Sequence, residues 1–361
     1  MIYSALALIK NSPFMAQKKQ LCFDKYRIIG VTKMVKFEKM DQSKIKIEIM
    51  EGKHVGEIIK LWNQQYSKVT NKYRFFSEDW KNDNYFKVFI EHHIKNKNSI
   101  IVRYGNNIVG YMTYDMFDFH NEKTAFFPIM AHSAKEEYKA SVYRIMYSKI
   151  SDKLVQAGCL NHLFTHFSSD EMLKKYLYEI GFGLYIVDAF QDVKYEYNKR
   201  ENNDFQIRKA EIEDIKDIHL LLTEFNEYYR SAPLFLKRDI ETQEEVKEYI
   251  IGENNAVFIA LKENKIVGFI NIRKSEENDL ITLVRKNTGI IDPLGAYIKK
   301  EYRQFGLGVQ LLNNVFDWCN HNDIYNIHVD FESANQNAHQ FWPKYFIPIL
   351  FSVKRRINND V

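Results

Sequence analysis

The stretch with the most chemistry in it runs from Ile298 to Leu312 and reads Ile-Lys-Lys-Glu-Tyr-Arg-Gln-Phe-Gly-Leu-Gly-Val-Gln-Leu-Leu. It joins a strand end, a loop bearing Gly306 and Gly308, and the start of an amphipathic helix. Glycines spaced by one residue let a backbone approach a ligand with no Cβ in the way. The unpaired N–H groups and positive dipole end of the following helix point into that loop, which suits a phosphate. Glycine pairs before helices also serve plain tight turns, so the loop alone leaves both readings open.

Other reactive side chains form no such constellation. His162 and His166 share one face of an expected strand, and His92 and His93 close an expected helix. None has acidic or cysteine partners at metal-ligand spacing, so these read as structural or surface histidines. Cys22, Cys159 and Cys319 lie far apart and form no CxxC, so neither a zinc cluster nor a disulfide framework is expected, as in a reducing compartment. Lys354, Arg355 and Arg356 read as a solvated strand end.

The chain has 361 residues, enough for about two domains, and 45% hydrophobic and 15% aromatic residues supply a sizeable core. A net charge of +4 with no long basic block argues against a nucleic-acid binder. No apolar run approaches the ~20 residues of a membrane span. The apolar stretch Met1–Ile9 lacks a preceding basic residue and a cleavage site, so it reads as an extension, with Met34 and Met40 standing just before the first convincing strand. A soluble, cytoplasmic protein without a membrane partner is expected.

The elements that position the loop emerge from periodicity. Ile45, Ile47 and Ile49 alternate as a strand, Val55 to Trp62 and Tyr85 to Ile90 recur at helical spacing, and Ser99–Arg103 and Ile108–Met112 flank a turn. Thr124–Met130 reads as a strand, 140–157 as a helix, 160–167 as a strand, 171–180 as a helix and 184–190 as a last strand. After a polar linker, 194–204, the pattern starts over: Phe205–Lys209, a helix over Ile215–Phe225, a helix over 242–251, and a hairpin of 256–261 and 266–272. Gly105-Asn-Asn-Ile-Val-Gly-Tyr111 and Glu263-Asn-Lys-Ile-Val-Gly-Phe269 fall at the same place in the two halves. The repeat predicts an α/β (α+β) protein of two copies of one unit rather than one large sheet. Each would be a mixed, mostly antiparallel twisted sheet with helices on both faces. In the second copy the glycine loop follows the fourth strand and precedes a helix (309–320), a strand (326–330), a helix (335–345) and a last strand (347–354).

In that setting the second half resembles the GNAT superfamily of N-acetyltransferases over residues 205–355. Arg303, Gly306 and Gly308 are similar to its Arg/Gln-x-x-Gly-x-Gly/Ala signature, and Asn335-Gln-Asn-Ala338-His-Gln-Phe341-Trp342 to its Asn-x-x-Ala-x-x-Phe-aromatic element. The first half resembles the family in pattern. Its Tyr178-Glu-Ile-Gly181-Phe182 is similar to a closing family element, but the loop counterpart, Lys135-Glu-Glu-Tyr-Lys-Ala-Ser141, has no glycine and two acidic residues. Such a loop would obstruct a pyrophosphate. The organisation implied is an extension (1–43), a degenerate GNAT-like domain (44–193) that supports the active half or walls its acceptor pocket, the linker, and a catalytic GNAT-like domain (205–361).

The resemblance implies acetyl-CoA as cosubstrate. Its pyrophosphate would be held by Arg303, Gln304, Phe305, Gly306, Leu307, Gly308 and Val309, mainly through backbone N–H groups. Its pantetheine arm would pair with Ala296, Tyr297 and Ile298, and Asn335 and Ala338 would contact the coenzyme or its loop. An N–H near Ile298 would face the thioester carbonyl, where charge develops. Candidates for the general base are Asp292, placed on the fourth strand, and Asp330 and Glu332 at the end of the fifth; each also reads as a bulge or cap residue. The tyrosine acid of the family falls on Trp342, so Tyr345, one helical turn on, is the stand-in.

The reading is an N-acetyltransferase that moves an acetyl group directly from the coenzyme to a primary amine. The alternative is a non-catalytic acyl-CoA-binding or interaction module. An unrelated ATP- or NAD-binding protein gains little, because no Lys-Ser/Thr follows the glycines and no dinucleotide-binding βαβ unit is visible.

Overall fold

The computed structural model describes residues 40–81, 85–119, 121–194, 204–277, 279 and 283–358. Most of the N-terminal extension, including Cys22 and Met34, and linker residues 195–203 lie outside them. The first half opens with β1 (Ile45–Ile49), α1 (Val55–Thr70), α2 (Tyr85–Lys95), β2 (Ser99–Tyr104) and β3 (Asn107–Thr113). It continues with β4 (Asp115–Phe119), β5 (Glu122–Phe127), β6 (His132–Ala134), α3 (Lys139–Gln156), β7 (Asn161–Phe167), α4 (Glu171–Glu179) and β8 (Gly183–Asp192). The second half repeats the plan with β9 (Gln206–Lys209), α5 (Ile215–Arg230), α6 (Gln243–Ile251), β10 (Asn255–Lys262) and β11 (Lys265–Lys274). It closes with β12 (Thr288–Ile290), β13 (Ala296–Ile298), α7 (Leu307–His321), β14 (Asn326–Glu332), α8 (Gln336–Phe341) and β15 (Ile347–Arg356).

Strand alternation explains how helices cover both faces. On β10, Ala256, Phe258 and Ala260 pack with Leu311, Leu312 and Val315 of α7. Val257, Ile259 and Leu261 turn the other way, onto Ile218, Leu222 and Phe225 of α5 and Val246 of α6. Consecutive strand residues point to opposite faces, so each apolar run is buried twice over. The first half repeats this: Val109 and Met112 pack with α3, while Ile108 and Tyr111 pack with α1 and α2.

Two readings change. The fourth strand of each unit is broken at the same place, between Phe127 and His132 and between Ile290 and Ala296. The earlier piece pairs parallel with the strand after the long helix, β5 with β7 and β12 with β14. The later piece pairs antiparallel with the hairpin, β6 with β3 and β13 with β11. A strand that keeps one partner while leaving the other must open a gap. The short β4, whose middle residues are exposed, carries too weak an apolar alternation to be read beforehand.

The second change is larger. The described strands form a 4-stranded sheet, β1-β2-β3-β6, and an 11-stranded sheet that spans both halves in the order β4-β5-β7-β15-β8-β14-β12-β11-β10-β9, with β13 on β11. The two copies of one unit and their mixed, mostly antiparallel character hold, but the expectation that they form no large joint sheet is corrected. The last strands are exchanged: β15 of the second half pairs with β7, and β8 of the first half pairs with β14. β8 and β15 pair with each other between them. An apolar strand satisfies any open edge of matching register, so its local pattern does not say which half it completes.

Candidate active site

A cleft of about 530 Å³ opens where β13 leaves β14. Its apex is the bond from Ile291 N–H to the His328 carbonyl, 3.1 Å. Beyond it the chain bulges through Asp292–Gly295, and buried Asn271 of β11 braces the bulge from behind. Its Nδ2 donates to the Asp292 carbonyl (2.8 Å), its Oδ1 accepts from Gly295 N–H (2.7 Å), and its own N–H donates to the Gly295 carbonyl (3.0 Å). Lys299 N–H donates to the Val267 carbonyl at 2.9 Å. Antiparallel pairs alternate between bonded and unbonded. With Gly295 and Lys299 bonded toward β11, the N–H and C=O groups of Ala296 and Ile298 turn outward, into the cleft. The Tyr297 side chain is buried against Phe225, with ring centroids 5.1 Å apart.

The two glycines of the loop do different work. Gly306 has φ +84° and caps α7, a left-handed position that a Cβ strains, and among the described residues no side chain pairs with the first N–H groups of the helix. Gly308 is set by packing instead: a Cβ there would lie 2.9 Å from Cε2 of Phe341 on α8. The first turn of α7 carries no acidic residue. Arg303 donates from Nε to the Ile298 carbonyl (2.9 Å), with its guanidinium 5.1 Å from the Tyr228 ring centroid and 5.5 Å from that of Tyr297. Gln304 is exposed at φ +69°. Phe305 is also exposed and lies near Phe205, so its side chain is not part of the cleft lining. Buried Asn335 caps α8 through Oδ1, which accepts from Ala338 N–H (3.2 Å) and from the Tyr228 hydroxyl (2.8 Å). Leu307, Val309 and Ala338 line the same wall.

Asp292, Asp330, Glu332 and Tyr345 all line this cleft, in different states. Asp292 lies in the break rather than on a strand, which corrects its placement on the fourth strand. Its carboxylate accepts from Arg273 (3.2 Å), which also forks onto Asp279 at 2.8 and 2.9 Å. Glu332 accepts from the Tyr229 hydroxyl (2.7 Å). Asp330 opens onto the cleft and has no hydrogen-bond partner for its carboxyl among the described residues. The residue is exposed toward the cleft, while the protein packed around its strand desolvates the carboxyl. This desolvation pushes its carboxyl up to about 7, and Asp188, Asp292 and Glu332 add to the rise against an opposing effect of His328. Trp342 is buried against Phe341 and Phe346, and Tyr345 lies 5.1 Å from the Phe341 ring.

Several cleft residues carried no signal in the sequence. Arg238 stacks over Phe225 and donates to Glu241 and to the carbonyls of Pro293 and Leu294, fixing the far side of the bulge. Asn271 and His328 sit within apolar strands, where a polar residue shows its role only once its partner is known. The side chains that line the cleft run from Phe225 to Tyr345, within the second half.

The equivalent gap of the first half is filled. His132 begins β6 and reaches across to the Thr165 carbonyl of β7 (2.9 Å) and to the Tyr143 hydroxyl (2.7 Å). Burial pushes His132 down to about 3, so the ring is neutral. At the start of α3, Lys139 is buried and bonded to Asp170 (2.8 Å) and Glu136 (3.0 Å). Asp170 caps α4 as Asn335 caps α8. His162 and His166 bond to Tyr147 and to backbone carbonyls.

Residues 218–346 match the acetyltransferase (GNAT) family. No curated protein sequence matches the chain. Among solved structures, it is similar to a GCN5-related N-acetyltransferase from Sphaerobacter thermophilus, at 10% identity and TM-score 0.50, covering 89% of this chain and 98% of that one. At this identity the likeness is one of fold. Others are a tandem GNAT protein from the clavulanic acid biosynthesis pathway (10% identity, TM-score 0.43, 86% and 98% covered) and a GCN5-related N-acetyltransferase from Kribbella flavida (12%, 0.38, 86% and 71%). The stretch that matches the GNAT acetyltransferase family, residues 218–346, holds the broken fourth strand and the glycine-capped helix.

Proposed function

We propose that the chain is an acetyl-CoA-dependent N-acetyltransferase with one coenzyme site, in the cleft between β13 and β14, and a primary amine as acceptor. The observation that carries the reading is the row of outward-turned backbone groups at Ala296 and Ile298, leading to the uncapped start of α7 at Gly306. An amide-bearing arm pairs with the former and a pyrophosphate with the latter. The residues present fit such a ligand: the first turn of α7 has no acidic side chain, and Arg303 stands beside it. The first half, its gap filled by His132, Tyr143 and the Lys139–Asp170 pair, binds no coenzyme.

In the reaction the Ile298 N–H faces the acyl oxygen, where negative charge grows as the amine attacks. An amine of pKa ~10.4 costs about 4–5 kcal/mol to deprotonate near pH 7, so a base helps. Asp330 is that base: it has no competing side-chain partner, whereas Asp292 is held by Arg273 and Glu332 by Tyr229. Tyr345 is the hydroxyl left near the family's acid position, and a thiolate also departs without a dedicated acid. Calorimetric titration with acetyl-CoA tests the site, and release of free thiol over a panel of amines tests turnover. A wild-type protein that binds no acetyl-CoA refutes the reading.

A further inference from the structure

Asp188 belongs to the first half, yet the exchanged strand sets it beside β14, the strand that carries Asp330 at the second half's cleft. Its register partner on β14 is Asp330. Directly paired residues of an antiparallel ladder project from the same face, with Cβ atoms roughly 5 Å apart. Asp188 Oδ1 lies 3.0 Å from Nε2 of His328, which stands two residues before Asp330 and so shares its face of the strand. Phe190, also from β8, covers the imidazole, with ring centroids 4.8 Å apart. The ring is 4% exposed, and its Nδ1 has no partner among the described residues.

We propose that Asp188 and His328 form a buried ion pair, assembled from both halves, that keeps Asp330 ionised and able to take a proton from the acceptor amine. This rests on the acetyl-transfer reading above. Both are positioning residues that act through Asp330. In the step they support, the amine N–C bond forms as the C–S bond breaks, and the thiolate leaves with the electron pair. The amine proton passes to the Asp330 carboxylate and then to water at the cleft mouth. His328 keeps its proton throughout.

The charges around the imidazole explain why the pair is needed. Asp330 and Glu332 face it from β14, Asp188 from β8, Asp292 from the bulge and Asp279 from beyond β11; Arg273 offsets the last two. Tyr229 of α5 bonds to Glu332. Burial lowers the basicity of His328, but the Asp188 bond and charge, then Asp330 and Asp292, outweigh it and raise the group above its ordinary value. Without the imidazolium, Asp188 would be a bare anion opposite Asp330, and two adjacent carboxylates resist ionising together.

The test compares the pH dependence of kcat/KM in the wild type, H328Q and the double variant D188N/H328Q. H328Q should move the acidic limb upward by about one pH unit. D188N/H328Q should bring it back toward the wild-type position, because the uncompensated anion is gone. An unmoved limb in H328Q, or a double variant no better than the single, overturns the proposal; additive damage is what a merely structural pair would give. Imidazole nitrogen spectra of the wild type need neither variant folding nor turnover. At about pH 6.5, where ordinary histidines are about half neutral, one buried ring protonated on both nitrogens to a greater extent than the ordinary ones is expected. Its absence refutes the pair, while its presence in a protein without turnover refutes only the acetyl-transfer reading.

Discussion

Asp330 shows how one side chain's surroundings set its chemistry. A carboxyl raised to about 7 serves as a base only once deprotonated, so kcat/KM should fall as pH drops through about 7. Asp330→Asn should lower kcat by about 10²–10⁴-fold, while acetyl-CoA affinity by calorimetry stays near wild type. The same shift has a stability sign. The folded state holds this proton more tightly than the unfolded chain, so the group's contribution is present at low pH and lost as pH rises from about 4 to 7. Melting temperatures of D330N should therefore fall less than those of the wild type over that window. At the loop, Gly306→Glu puts a Cβ at φ +84° and a negative charge at the helix start, and should abolish acetyl-CoA binding. Ala140→Glu, at the equivalent turn of the first half, should leave binding unchanged.

At the scale of elements, the site depends on a strand that breaks on cue. The break is held by Asn271, whose side chain bonds both the Asp292 carbonyl and the Gly295 N–H from a fully buried position. Asn271→Leu leaves those groups unpaired at about 1–3 kcal/mol each. A lower melting temperature and a weaker acetyl-CoA titration are expected together, because the bulge aims Ala296 and Ile298. The packing of α8 on α7 is as close. Gly308→Ala meets the Phe341 ring at 2.9 Å, and overpacking of this kind costs about 1–3 kcal/mol. It should widen the spacing of the two helices and weaken coenzyme binding. None of this was legible from strand periodicity, which marks a fourth strand in each half without marking where it changes partner.

At the scale of the whole molecule, each half lends its last strand to the other. Residues 205–361 on their own would expose the β14 edge that β8 covers over seven register pairs, Asn326 to Glu332. That fragment should be insoluble or unfolded when expressed alone, and the full chain should unfold in one calorimetric transition rather than two. Loop contacts tie the halves further: Ser77 N–H donates to the Leu283 carbonyl at 3.0 Å, and Leu283 joins the core of the first half. A first half with a filled gap thus retains a task, since its β8 pairs with the strand that carries Asp330.

The sequence by itself determined the local plan. Apolar periodicity marked nearly every helix and strand, the Gly105–Tyr111 and Glu263–Phe269 match exposed the repeat, and Arg303, Gly306, Gly308 and Asn335 marked one half as the bearer of the loop. These are short-range signals, carried by spacing along one element and by residues whose backbone demands are specific. Tertiary structure decided the rest: which edge β8 and β15 join, that Asp292 sits in a bulge with its carboxylate bonded to Arg273, and that Asp330, of the three candidate carboxylates, has no hydrogen-bond partner among the described residues. The physical reason is that strand pairing and desolvation depend on neighbours far away in the chain. Asp188 and Asp330 stand opposite each other only after β8 of the first half has met β14 of the second.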